Sequence, residues 1–171
     1  KSICADIFMQ KPIFENFFNK SQLKNIFENL LASSNILGIE DIVVPLVDNS
    51  SIKHCKNMKY FEFLFHEILE IFSNYKINLC LVMDLSPDSF YKFIKKFSHK
   101  NLSINYDVGN SASLGFNIIE EIESYGKFIS LIHIKDRLKN GPSVKLGTGN
   151  VKFDLFFEQL KKIKYKKNFT I

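Results

Sequence analysis

The chain has 171 residues, of which 46% are apolar, and a formal net charge of +5, which suffices for one hydrophobic core. No apolar run approaches the roughly 18 residues of a membrane helix. The three cysteines, Cys4, Cys55 and Cys80, lack CxxC spacing and are odd in number, which argues against a structural disulfide framework.

Eighteen Phe and no Trp point to a core of Phe, Ile and Leu. Cys4 and Cys80 lie in apolar runs and read as small hydrophobes, which fits a reducing, cytoplasmic compartment. Much of the positive charge sits in "KKIKYKK", residues 161–167, the solvated face of a helix and the loop after it rather than a nucleic-acid patch. Lys1 opens directly onto a strand-like stretch with no signal peptide, and a chain that opens on Lys reads as a fragment.

The elements alternate along the chain. "SICADIF" reads as a short buried strand. "SQLKNIFENLLASSN" carries a helical stripe at Leu23, Ile26, Phe27, Leu30 and Leu31, with Ser21 as its cap. "IEDIVVPLV" is a second strand, and "MKYFEFLFHEILEIFSNY" a long helix. "INLCLVMD" is a third strand. "SPDSFYKFIKKF" opens a helix with Ser86 as cap and Pro87 at the first helical position. "LSINYD" is the fourth strand and "SLGFNIIEEIESYG" the next helix. "FISLIHIKD" is the fifth strand. "VKFDLFFEQLKKI" is a helix, and "NFTI" begins a sixth strand.

Near-continuous apolar strands, each followed by a helix, imply an α/β protein with a parallel sheet covered by helices. Two arrangements fit: a doubly wound sheet, or most of a (β/α)8 barrel. No GxGxxG follows the first strand, so the dinucleotide fingerprint is missing. Polar groups recur instead at strand ends: Asp6, Asp48, Asp84, Asp107, then His133 with Lys135 and Asp136. That placement is the habit of barrel enzymes. Asp107 opens "DVGN", which is also ordinary turn chemistry. His133 lies in an apolar run, where a core histidine is the bland alternative to a metal ligand. Ser111 and Ser113 lack a nearby His-Asp pattern, which argues against serine hydrolase chemistry.

At "YDVGNS", "HIKDR" and "LGTGNVKF" the sequence resembles the sugar phosphate isomerase/epimerase family with its xylose-isomerase-like TIM barrel; "SICADIFMQKPIF" and "LVMDLSPDSF" fit the same family. The resemblance spans essentially the whole chain. It implies a single domain over residues 1–171, an incomplete (β/α)8 TIM barrel supplying strands three to eight of parallel strands alternating with helices. It further implies a divalent metal, Mn²⁺, Mg²⁺, Zn²⁺ or Co²⁺, held by Glu, Asp, His and Glu at strand ends. The Asp maps to Asp107 and the His to His133. Val82 stands where the first Glu is expected, and the last Glu would follow Ile171. Asp84, two residues after Val82, could take the place of the first Glu only if the strand end bends. In such epimerases the two glutamates also move a proton next to a carbonyl, while the metal stabilises the enediolate.

By the same resemblance Lys135, Arg137 and Asn110 would contact a small sugar or sugar phosphate. The alternatives are a surface salt bridge of Lys135 or Arg137 with Asp136, and a plain turn role for Asn110. Gly147 and Gly149 either cradle a phosphate or form a flexible loop, the second being favoured without a P-loop Lys-Ser/Thr. The implied activity is metal-assisted isomerisation or epimerisation. The rivals are a catalytically degenerate sugar-binding barrel and, ranked lower, a metal-dependent endonuclease at abasic DNA sites, which needs several His where this chain offers one candidate. Open barrel edges predict self-association into a homo-oligomer.

Overall fold

A computed structural model describes residues 1–171. The chain divides into two compact units, one formed by Lys1–Met83 and Phe97–Ser103, the other by Asp84–Lys96 and Ile104–Ile171.

The first unit opens with strand β1 (Ser2–Cys4), a short helix α1 (Ile7–Gln10) and helix α2 (Lys20–Ile36). Strand β2 (Asp41–Leu46), helix α3 (Met58–Phe72) and strand β3 (Asn78–Met83) follow. The three strands are parallel and pair in chain order, with Ser2 beside Asp41 and Asp41 beside Asn78. Every residue of β2 is buried, as a strand covered on both faces requires. Phenylalanines fill the space between strands and helices. Phe8 stacks on Phe27 at 5.2 Å, and Phe65 meets Phe97 edge-on at 4.7 Å. Full burial of each such ring contributes about 1.5–3 kcal/mol. Cys80 is buried as expected, but Cys4 lies exposed on β1. The α2 cap also differs from expectation. Asn19, not Ser21, holds the helix start: its side chain accepts from Gln22 N while Gln22 Oε1 accepts from Asn19 N, both at 2.9 Å. Only Asn19 has a glutamine three residues on, as this reciprocal pair demands.

Helix α4 (Pro87–Phe97) leads to strand β4 (Leu102–Asp107), which begins in the first unit and passes into the second. The second unit then carries helices α5 (Val108–Leu114) and α6 (Ile118–Tyr125) and strand β5 (Ile129–His133). A small antiparallel pair, β6 (Asp136–Arg137) with β7 (Ser143–Val144), comes next. Helix α7 (Phe153–Lys162) and strand β8 (Phe169–Thr170) complete it. Strands β4, β5 and β8 are parallel and again follow chain order. Neither unit shows the strand-order reversal of a doubly wound sheet.

One helix was expected after β4, and two are present. Gly115 adopts φ +76°, a left-handed conformation that ends α5, and Asn117 then caps α6 through Ile119 N at 2.9 Å. Strand alternation turns Tyr106 away from Asn105 and Asp107 and towards the helices. There the Tyr106 hydroxyl donates to Glu121 at 2.7 Å, the Tyr125 hydroxyl donates to it at 2.6 Å, and Ser111 Oγ donates to it as well. Burial pushes the Glu121 carboxyl above its ordinary range, and the three hydroxyl donors only partly offset that.

A carboxyl with a raised folded-state pKa stabilises the fold fully below its unfolded pKa, and that contribution is lost as pH rises through the folded value. Glu121→Gln removes the ionisation while keeping an acceptor. The melting temperature of the variant relative to the native protein should therefore climb as pH rises above the ordinary carboxylate range. A pH-independent difference in a thermal-melt series would show that Glu121 does not carry this penalty.

Candidate functional site

Strands β4 and β5 run parallel, and their register sets Asp107 directly beside His133 at the carboxyl ends of both. Asn105 lies on the same face of β4, two residues before Asp107. Asp107 is buried and uses both oxygens. Oδ1 accepts from Asn110 N at 3.0 Å, which caps α5, and Oδ2 accepts from Lys135 Nζ at 2.7 Å. His133 Nδ1 lies 3.9 Å from the same Oδ2. Asp107 thus fills the turn role, as the cap of α5, and also pairs with Lys135.

His133 Nδ1 is 3.1 Å from Asn105 Nδ2, an amide nitrogen that can only donate. Nδ1 is therefore the acceptor, and the neutral ring carries its proton on Nε2. Burial pushes the His133 pKa down, the Asp107 carboxylate opposes this, and the Lys135 ammonium adds to it. The net effect is downward, so the imidazole is neutral at pH 7. Asn105 Oδ1 is buried without a partner. Asn105 escaped the sequence reading, although a polar residue two positions before Asp107 in a buried strand was the available signal.

Arg137 does not pair with Asp136. Its Nη1 donates to Asn110 Oδ1 at 2.8 Å, and Nε and Nη2 donate to Gly141 O at 3.1 and 2.9 Å. Three of its five N–H donors are thereby engaged. Asn110 links α5 to Arg137 besides holding its turn position. Asp136 is buried and accepts from Gly147 N at 2.9 Å, Gly149 N at 2.8 Å and Val151 N at 3.1 Å. Burial works against its ionisation, but these amides and that of Arg137 outweigh it and hold the carboxyl below its ordinary range. The alternative salt bridge of Arg137 with Asp136 is not formed, and the glycine loop, expected to be flexible, is held on the Asp136 carboxylate. The Gly147 and Gly149 amides point at a carboxylate and are not free to cradle a phosphate.

Two glycines make the close docking feasible. A Cβ on Gly109 would lie 2.7 Å from Lys135 Cβ and 3.2 Å from its carbonyl carbon and oxygen. A Cβ on Gly149 would collide with the Asp136 carboxylate. The three motifs "YDVGN", "HIKDR" and "LGTGNV" therefore pack against one another as a unit.

Asp107 and His133 are the candidate metal ligands, and the divalent ion implied by the resemblance can be tested against their surroundings. The Asp107 oxygens are taken by a backbone amide and an ammonium, and His133 Nδ1 faces an amide donor. No group of three or more His, Cys, Asp or Glu side chains converges anywhere in the chain. As arranged, these residues do not fit a divalent metal ion. Val82, at the position of the expected first Glu, is buried in β3.

A Ser-His contact lies in the first unit, where His99 Nε2 is 2.9 Å from Ser73 Oγ. His99 Nδ1 accepts from Asn101 N at 3.2 Å, so Nε2 bears the proton and donates to the serine. That tautomer cannot take a serine proton, and the pair is structural.

The family model described as xylose isomerase-like TIM barrel matches residues 27–171. An uncharacterised protein of Methanocaldococcus jannaschii is 31% identical over 112 residues, covering 58% of this chain and 38% of its own length. Among solved structures, the IolI protein with a bound zinc atom superposes with a TM-score of 0.74 at 19% identity, covering 91% of this chain and 61% of that one. The 3-keto-D-glucoside 4-epimerase YcjR from E. coli superposes with a TM-score of 0.71 at 17% identity, covering 92% of this chain and 66% of that one. At these identities the solved structures speak to the fold alone, and this chain spans less than two thirds of each relative's length.

Gly109→Ala should lower stability by about 1–3 kcal/mol, because Lys135 backbone rather than a flexible side-chain tip must yield. Urea denaturation measures it. A change within ~0.5 kcal/mol would mean that α5 and the segment after β5 do not dock this closely.

Proposed function

The chain belongs to the xylose isomerase-like TIM-barrel family, and from that premise we propose that the protein isomerises or epimerises a small sugar or sugar phosphate. The observation that carries the reading is the register pairing of Asp107 with His133 at neighbouring strand ends, with Lys135, Arg137 and Asn110 gathered around them. Carboxyl ends of barrel strands are where such folds place their chemistry. The sugar epimerase among the structural relatives supports the substrate class.

The reaction moves a proton on carbon next to a carbonyl. A base removes that proton, the electron pair shifts to oxygen as an enediolate, and the proton returns to the neighbouring carbon or to the opposite face. A neutral imidazole is the right base for this at pH 7, and His133 is held neutral. Nε2 carries the proton in the arrangement described. With the Asn105 amide turned by half a turn, its unpartnered Oδ1 would face Nδ1 and favour the tautomer protonated there, the proton exchanging through solvent, which leaves Nε2 free to accept. In the resemblance the enediolate charge falls to a divalent metal. Here the cation beside Asp107 is the Lys135 ammonium, at the end of a side chain 47% exposed and with N–H donors left for a substrate oxygen.

Arg137 bears on the choice between sugar and sugar phosphate. Its hydrogen bonds go to the neutral oxygens of Asn110 and Gly141, so its charge is not cancelled by them. An anionic group on the substrate would meet that charge, which favours the sugar phosphate.

The full chain incubated in D₂O with ketoses, aldoses and their phosphates should place deuterium on the carbon next to the carbonyl, read by NMR. His133→Gln should slow that exchange by about 10²–10⁴-fold. Saturable sugar binding without exchange would support the degenerate sugar-binding barrel instead. An unchanged exchange rate in the variant would remove His133 from the chemistry.

A further inference from the structure

We propose that the resident cation of this site is the Lys135 ammonium rather than a divalent metal ion, and that an ion reaches Asp107 only by displacing it. The inference deepens the reading of the same site as a sugar isomerase or epimerase, and its test is a metal titration that needs no turnover.

Three observations converge on it. The Lys135 ammonium sits 2.7 Å from Asp107 Oδ2, the oxygen that also faces His133 Nδ1, so it holds the edge of the carboxylate that a shared ion would need. The other oxygen is committed to the helix cap at Asn110 N. Lys135 is also built in at its root. Gly109 lets the Lys135 Cβ and backbone press against the first turn of α5, where any side chain on residue 109 would collide with them. The ammonium is thus delivered to Asp107 by a fixed backbone contact as well as by its own charge.

The physical consequence is a competition. A lone buried carboxylate is costly, and one cation is enough to neutralise it. A divalent ion arriving beside the ammonium would meet like charge at close range, with no additional carboxylate gathered there to offset it. Without the ammonium, Asp107 and His133 become a bare carboxylate and imidazole side by side, which is the beginning of a metal site. Lys135 therefore keeps the site closed to metal while presenting its remaining donors to a substrate oxygen.

The test is isothermal titration of Mn²⁺ into the full chain and into Lys135→Met and Lys135→Gln, with circular dichroism to confirm folding. The native chain should show no saturable binding below about 1 mM, and both variants should bind at least tenfold more tightly, a difference of about 1.4 kcal/mol. Adding Asp107→Asn to either variant should abolish the gain. Lys135→Gln keeps a donor for Asp107 and carries the test if Lys135→Met does not fold. Asp107-dependent binding tighter than about 10 μM in the native chain would overturn the proposal. So would a folded Lys135→Gln with native affinity. A chain that turns over no sugar yet shows the predicted gain loses the functional reading and keeps this one.

Discussion

The arrangement of the site depends on one carboxylate doing two jobs. Asp107 ends β4, caps α5 with Oδ1 and holds Lys135 with Oδ2. The first job fixes where the helix after the strand begins, and hence where Asn110 points. The second fixes the segment after β5 against that helix. Because the cap and the ion pair share one rigid planar group, the angle between α5 and the segment carrying Lys135 is set within the reach of a single side chain. Gly109 completes the constraint by lacking a Cβ that would press on Lys135. Arg137, bonded to Asn110, adds a second polar link between the same two elements.

Asp136 does for the loop before α7 what Asp107 does for α5. A buried carboxylate that gathers the amides of Gly147, Gly149 and Val151 orders a stretch that would otherwise need a sheet or helix to satisfy it. The two aspartates differ in how their charge is met. Asp136 is neutralised by backbone dipoles that cannot leave. Asp107 is neutralised in part by a half-exposed lysine that can. That difference separates a structural anchor from a group with chemistry available to it, though both are buried and both lie near the same strand ends.

The fold class and the order of strands were legible because the signal is redundant. Apolar runs, helix caps and the recurrence of polar strand ends all repeat along the chain, and a one-residue error at any of them changes nothing. The individual contacts were not legible. "HIKDR" places Lys135, Asp136 and Arg137 in succession, and the nearest ion-pair partners by sequence are each other. The structure separates them because each belongs to a different neighbour: Lys135 to Asp107, Asp136 to the glycine loop, Arg137 to Asn110 and Gly141. Only the packing of segments distant in sequence decides that. The glycines of "LGTGN" misled for the same reason. Free amides on small residues suit a phosphate or a carboxylate equally well, and the carboxylate that claims them lies eleven residues before Gly147.

The alternation of β4 ties this polar surface to the core behind it. Asn105 and Asp107 face the site, and Tyr106 between them faces the helices, where it shares Glu121 with Ser111 and Tyr125. Ser111 lies on α5, one residue after Asn110. The short helix is therefore held at its start by Asp107 and from beneath by Glu121, with Asn110 and its link to Arg137 between the two holds. A helix of seven residues has little stability of its own. What keeps α5 in place is this pair of buried carboxylates, one on each side of the strand. Loss of either would free the turn that carries Gly109 and Asn110, and with it the seat of both Lys135 and Arg137. The buried network behind the sheet is in this sense part of the site in front of it.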